Sequence, residues 1–164
     1  MKQIYFIGGT MGVGKTVVSQ WLKNDLPNAV FLDGDWCWDS SPFQVTTETK
    51  DMVIDNICHL LNNFIHCSGY DNIIFCWVMH DQSIIDTILK KTDAAHCSVK
   101  VVSLLAREDT LTKRIIHDIN AGIRTIDVLE RSIARIPCYQ KLNSVKVSTD
   151  DKSIREIAEE IKRI

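Results

Sequence analysis

No Cys-x-x-Cys pair occurs in this chain, although it carries six cysteines, Cys37, Cys58, Cys67, Cys76, Cys97 and Cys138. Cys58-His59 and His66-Cys67 fall on one predicted helix, at a spacing that matches no common zinc framework. A basic excess is also missing. The formal net charge is −2, so no broad positive field argues for nucleic acid as a partner. No apolar run approaches the length of a membrane span, and membranes drop out as a partner in turn. The N-terminal stretch Met1 to Ile7 has one lysine and a short apolar run but no small-residue cleavage site; it reads as a first strand rather than a signal peptide. These absences together lead to the expectation of a cytoplasmic protein with reduced thiols, Cys76 and Cys97 being small buried hydrophobes in strands. No repeat, low-complexity tract or linker divides the 164 residues, which read as a single domain, 1–164, long enough to bury a core.

What is present is an alternation of two periods. Gln3 to Gly8 is a short apolar run ending at Gly8-Gly9, a buried parallel strand by pattern. A helix is predicted from Lys15 to before Pro27, because proline and the residue ahead of it resist helix. Ala29 to Leu32 is a second strand, and Asp33 to Thr47 is irregular. From about Glu48 the positions Met52, Val53, Ile57, Leu60, Leu61, Phe64 and Ile65 recur at helical steps, with Gly69 as the stop. Asn72 to Val78 is a continuous apolar run of central-strand type. Asp81 is placed to cap the next helix, with Ile84, Ile85, Ile88 and Leu89 inward. Ser98 to Leu105 is the fourth strand, and the helix after it carries Leu111, Ile115, Ile116 and Ile119. Gly122 interrupts; a further helical stretch spans about Ile123 to Ile136. Val145 to Ser148 is the last strand, and Ser153 with Glu156 forms a capping box for a final helix. Strands alternating with helices predict an α/β fold, a three-layer α/β/α sandwich on an open five-stranded parallel sheet.

The segment Gly9-Thr10-Met11-Gly12-Val13-Gly14-Lys15-Thr16 satisfies the phosphate-loop pattern Gly-x-x-x-x-Gly-Lys-[Ser/Thr]. A strand ends before it and a helix begins at Lys15, which is the setting the pattern requires. Its glycines let backbone N–H groups converge on phosphate oxygens, and the helix N-terminus adds partial positive charge. Lys15 then reaches the β- and γ-phosphates, and Thr16 places its hydroxyl on magnesium. A chance match in a chain of this length has odds of roughly one in two hundred. The cofactors this motif points to are ATP and Mg2+.

Two further patterns lie near that loop. Asp33-Gly34-Asp35 follows the second strand, and ligands of doubly wound sheets bind beyond the carboxyl ends of strands. The same tripeptide is also a common turn. On the stretch 123–136, Arg124, Arg131 and Arg135 project within roughly 20° of one direction at the helical 100° per residue, while Ile126, Leu129, Ile133 and Ile136 face the other way. Either a row of guanidinium groups is offered to a ligand, or this is a solvated face with Asp127 pairing to Arg131.

The loop alone does not fix the class. Signalling GTPases carry Asn-Lys-x-Asp and an Asp-x-x-Gly switch, and neither is here. Motor and AAA-type ATPases place an acid at the end of an apolar strand; here Asn72 to Val78 runs on into Met79-His80. Over nearly the whole chain the sequence instead resembles the P-loop kinases that include shikimate, gluconate and adenylylsulfate kinases and related antibiotic phosphotransferases. The phosphate loop, Asp33-Gly34-Asp35, the arginine-bearing helices and the closing strand-helix unit carry that resemblance. It also extends to tunicamycin-resistance-like proteins, which implies binding or modifying a nucleoside antibiotic.

The resemblance implies a phosphotransferase moving the γ-phosphoryl of ATP to a hydroxyl or phosphate of a small, nucleoside-like acceptor. Asp33 then holds magnesium through water, and Asp35 orients or deprotonates the acceptor. Residues 122–138 become a lid whose arginines, with Arg114 from the preceding helix, neutralise the transferring group. Trp36, Trp38 and Asp39 border the acceptor pocket, where two indoles sandwich a planar group or else anchor the loop to the core. His80, at the end of the third strand, lines the same cleft, as a proton carrier or a structural histidine. Val17 stands where many such kinases have a second hydroxyl on the α-phosphate; losing that bond costs about 0.5–1.5 kcal/mol of nucleotide affinity. The alternative from another class is a nucleotide-dependent sensor or resistance protein with little transfer chemistry. A monomer or a homodimer fits either reading.

Overall fold

A computed structural model describes residues 1–164. Five strands, β1 (Gln3–Gly9), β2 (Ala29–Asp33), β3 (Asn72–Cys76), β4 (Ser98–Leu105) and β5 (Val145–Ser148), form one parallel sheet in the order β2-β3-β1-β4-β5. Six helices cover it: α1 (Lys15–Asp25), α2 (Thr47–His66), α3 (Gln82–Lys91), α4 (Glu108–Asn120), α5 (Asp127–Lys141) and α6 (Ile154–Lys162). Parallel strands need crossover connections, and the helices supplying them bury both sheet faces.

The period of two along the strands sorts the core into two halves. Ile4 and Phe6 of β1, with Ile73, Phe75 and the residue after β3, Trp77, pack against α2 through Val53, Ile57 and Leu61 and against α3 through Ile85 and Ile88. Tyr5, Ile7, Ile74 and Cys76 face the other way, onto Val18 and Leu22 of α1 and Ile157, Ala158 and Ile161 of α6. This three-layer architecture is the one the sequence pattern implies.

Local signals set most boundaries. Asp81 caps α3 by accepting from the Ser83 N–H, and Ser153 with Glu156 closes a capping box on α6. Gly122, at φ 71°, ends α4 in a left-handed turn that returns its N–H to the Ile119 carbonyl, the usual reason for a glycine just past a helix. Two expectations need correction. The long second helix stops at His66, capped by the Cys67 N–H bonding to the Asn63 carbonyl, ahead of Gly69. The helix expected over 123–136 begins at Asp127 and continues through Pro137 to Lys141. An interior proline costs about 3 kcal/mol or more. That cost is offset because Tyr139 is fully buried and, with Leu142, anchors this end of the chain to the core.

Candidate active site

The carboxyl ends of β1 and β2 bring the phosphate loop and the acidic tripeptide together. β1 runs directly into Gly9, and the loop closes at Gly14, whose φ of 105° caps α1. Gly12, at φ 81°, lies so close to α4 that an added Cβ would meet Ile115 Cγ1 at 2.7 Å. Val13 is buried beneath the loop and Val17 is exposed on the first turn of α1. The Lys15 ammonium folds back over the loop to donate to the Thr10 carbonyl at 3.1 Å. Burial, the largest cause, brings its pKa down to about 8; the carboxyls of Asp35 and Asp33 pull the other way, and Arg124 adds to the lowering.

Period two also explains the split between the two aspartates. Leu32 faces α2, so Asp33 turns to the α1 side. There Thr16 Oγ1 donates to Asp33 Oδ2 at 2.9 Å, and Asp33, itself buried, accepts the Asp35 N–H through Oδ1. A single 3-10 turn, Gly34–Cys37, then carries Asp35 across to the Trp77 side. Trp77 Nε1 donates to Asp35 Oδ1 at 3.1 Å. Gly34 is required for this contact, because a Cβ there would stand 2.5 Å from Trp77 Cγ. Burial and then the neighbouring Asp33 push the Asp35 carboxyl above its ordinary value, against Lys15 and the Trp77 bond, which lower it. Asp35 keeps solvent access, so screening tempers the burial effect.

Magnesium suits the pair Thr16 and Asp33. It prefers oxygen ligands and keeps waters and substrate phosphates in its shell, so one hydroxyl and one carboxylate at a phosphate loop are a sufficient protein contribution. No group of three or more His, Cys, Asp or Glu is placed to hold a metal alone, and all six cysteines are free thiols. Cys76, which ends β3 level with Asp33 where an acid would be expected in many P-loop proteins, is buried, and its pKa is pushed up to about 12.

The arginine set divides. Only Arg131 and Arg135 are on α5; Arg124 precedes the helix and pairs with Asp118 at 2.9 Å. Arg131 makes the i,i+4 pair with Asp127 at 2.6 Å, both more than half exposed. Arg135 has no ion pair and lies on the same stripe as the buried Val128, Ser132 and Tyr139. The buried side of α5 therefore takes in this stripe together with Ile136, which packs on the α1-side core and was expected inward, whereas Ile126, ahead of the helix, is 70% exposed. Arg114 donates to the Val13 carbonyl at 3.3 Å and to Thr149 Oγ1 and O at 3.0 and 3.2 Å. It ties the phosphate loop to the turn after β5, a bridging position rather than a free one.

Sequence reasoning missed a second tie. Ser132, fully buried on α5, donates to the Met11 carbonyl at 2.6 Å, and Thr10 Oγ1 donates to the Ser132 carbonyl at 2.8 Å. A small polar residue four positions after Val128 was the available signal. Val128 and Ser132 share one helical stripe, but a pattern of isoleucines points to a different one.

Beyond Asp35 lies an open cleft of about 460 Å3, lined by Trp36, Trp38, Asp39, Gln44, Met52 and Asn56 among others. The two indoles do not form a parallel sandwich. Trp36 packs edge-on against Phe31 at 5.2 Å, whereas Trp38 packs edge-on against both Phe43 and Trp77, at 4.9 and 5.9 Å. His80 is outside the lining and contacts the Val78 carbonyl at 3.2 Å.

Phosphate loop, acidic turn and parallel sheet define the class: the fold is that of the P-loop kinases. Residues 6–129 match the family model described as an AAA domain, and the chain belongs to that family. β3 ends in Cys76 rather than in the acid expected of AAA-type ATPases, yet the chain belongs to this family, so the missing acid does not exclude it. No curated protein matches the sequence. Among solved structures, the Deinococcus radiodurans tunicamycin resistance protein is similar at 18% identity and TM-score 0.75, covering 99% of this chain and 95% of that one. A gluconokinase from Sinorhizobium meliloti 1021 is similar at 17% identity and TM-score 0.69, covering 97% and 89%. A shikimate kinase from Acinetobacter baumannii, in complex with shikimate, follows at 19% and 0.64, covering 99% and 92%. No helix is long and apolar enough to cross a membrane.

Proposed function

We propose that this protein is an ATP-dependent phosphotransferase acting on a hydroxyl of a small molecule held in the cleft beside Trp36 and Trp38. The observation that carries the reading is the position of Asp35. Its carboxylate is fixed by Trp77 and feels the charge of Lys15 in the phosphate loop, and the residues that follow it in the chain, Trp36 to Asp39, line the cleft. That is the place for a base between a donor phosphate and an acceptor hydroxyl. The fold shared with gluconokinase and shikimate kinase supports the same class.

The chain's part in the reaction is largely positioning and charge neutralisation. Residues 9–16 hold the phosphates of ATP, with Lys15 on the β- and γ-oxygens. Thr16 and Asp33 would hold Mg2+, which would supply charge neutralisation at the phosphates. Asp35 accepts the proton as the acceptor oxygen forms its bond to the γ-phosphorus. The bond from that phosphorus to the bridging oxygen breaks, and ADP leaves with the electron pair. Arg124, whose charge is felt at Lys15, and Arg135 of the lid segment stabilise the charge spread over the transferring group. Arg114 holds the loop and the turn at Thr149 in register for the nucleotide. A soluble enzyme working as a monomer or homodimer is the accompanying reading.

Release of ADP from magnesium-ATP, screened with nucleosides, nucleoside monophosphates, sugars, hydroxy acids and antibiotics, tests the assignment. Acceptor-dependent release identifies the kinase. Tight ATP binding with no stimulation by any acceptor puts a nucleotide sensor in its place.

A further inference from the structure

The charges around the transfer site are segregated, and the segregation selects an acceptor. The cations placed at the phosphate loop are Lys15 within it, Arg114 across Val13 and Thr149, and Arg124, whose charge is felt at Lys15; Arg107, after β4, is held by Asp151. None of the 11 residues lining the cleft beyond Asp35 is a lysine, arginine or histidine. Lys50, on the nearby helix α2, is outside the lining and is flanked by Glu48 and Asp51. The one charged side chain of the lining is Asp39, which makes no hydrogen bond or ion pair within the chain. Trp36, in the same lining, is 58% exposed and packs in a T-shaped pair with Phe31, so much of its indole is open to a ligand.

An acceptor carrying a carboxylate or phosphate would enter between Asp35 and Asp39 with no cation to meet it. Like charges at such a site repel, and the chain offers no donor fork to offset this. A protonated amine meets the opposite situation: a free carboxylate and an exposed indole, the two partners that recognise ammonium groups. We propose that the acceptor is a hydroxyl-bearing amine, such as an amino alcohol or amino sugar, held through its ammonium group by Asp39 and Trp36 so that the hydroxyl faces Asp35. This rests on the phosphotransferase reading for the transfer itself, in which the hydroxyl oxygen bonds to the γ-phosphorus, ADP departs and Asp35 takes the proton.

Binding and turnover are tested separately on matched compounds of one scaffold. D-glucosamine, glucose and gluconate form one series, and a 2-aminoethanol, ethylene glycol and glycolate series is the second. Affinity is read from quenching of tryptophan fluorescence in the presence of magnesium and a non-hydrolysable ATP analogue, and transfer from ADP release. The amine is expected to bind about tenfold or more tightly than the neutral analogue, with the carboxylate weakest. Asp39→Asn abolishes that ranking while ATP affinity is retained, and Trp36→Leu reduces it. A carboxylate preferred over the amine overturns the proposal and leaves the kinase reading intact. Amine-selective binding that depends on Asp39, without ADP release, supports the ammonium site at Asp39 and Trp36 but overturns its role as an acceptor site, together with the kinase reading. No binding by any of the amines, or a ranking indifferent to Asp39→Asn, overturns it.

Discussion

Gly34→Ala isolates the contact that fixes Asp35. The φ of Gly34 is outside the left-handed region, so alanine fits the backbone. Considered alone, a compatible Gly→Ala change stabilises by about 0.4–1 kcal/mol through the unfolded chain. The folded state opposes it: the new Cβ would stand 2.5, 2.7 and 2.9 Å from Trp77 Cγ, Cδ1 and Cβ. Trp77 is only 8% exposed and packs against Trp38, so its ring has little room to retreat. Overpacking of this kind costs about 1–3 kcal/mol, which outweighs the entropic gain. For a chain of this size each kcal/mol lowers Tm by about 2–4 °C. A thermal melt of Gly34→Ala, Trp77→Ala and the double variant forms a cycle. In the Trp77→Ala background, itself destabilised by about 3–5 kcal/mol, Gly34→Ala should become neutral or mildly stabilising. Equal destabilisation in both backgrounds, or none in the wild type, would refute the reasoning.

Three further outcomes are expected. Because the folded pKa of Asp35 is raised, its ionised form lowers stability, so its contribution is fully present below the ordinary carboxylate pKa and lost as pH rises through the folded value. Asp35→Asn therefore melts higher than wild type at neutral pH, an advantage that vanishes on acidification; a lower Tm at pH 7 contradicts this. The Lys15 pKa of about 8 rises when phosphate binds, so ATP binding takes up a proton in alkaline buffer and affinity falls by up to about tenfold per pH unit above 8. Calorimetry in buffers of different ionisation enthalpy measures that uptake, and a flat affinity from pH 7 to 9.5 would exclude it. Tyr139 is fully buried with no partner for its hydroxyl. Tyr139→Phe removes an unsatisfied group that costs about 1–3 kcal/mol, and a raised or unchanged Tm is the expected melt, a clear fall the opposing one.

The sequence carried the fold well because strand and helix signals agreed at nearly every element, from Gln3 to the Ser153 capping box. The phosphate loop was legible because its function needs a contiguous pattern. What escaped was contact between distant segments. Nothing local indicates that Gly34 is shaped by Trp77, 43 positions on, or that Ser132 holds Met11. The helix at Asp127 to Lys141 was misread in part because its apolar residues mark its inward face incompletely: Ile136 packs on the core as expected, but Ile126 is exposed ahead of the helix and a fully buried position is the polar Ser132. The arginine row was in consequence one residue too long, Arg124 being held outside the helix by Asp118.

Asp35 as the proton acceptor in phosphoryl transfer is the central claim, and paired measurements on Asp35→Asn test it most directly. Nucleotide affinity and the single-turnover rate of transfer from magnesium-ATP to an active acceptor are measured in both proteins. The account predicts ATP affinity within about twofold of wild type and a transfer rate lower by about 10²–10⁴-fold. Transfer at the wild-type rate, or a loss of rate matched by an equal loss of ATP binding, would contradict it.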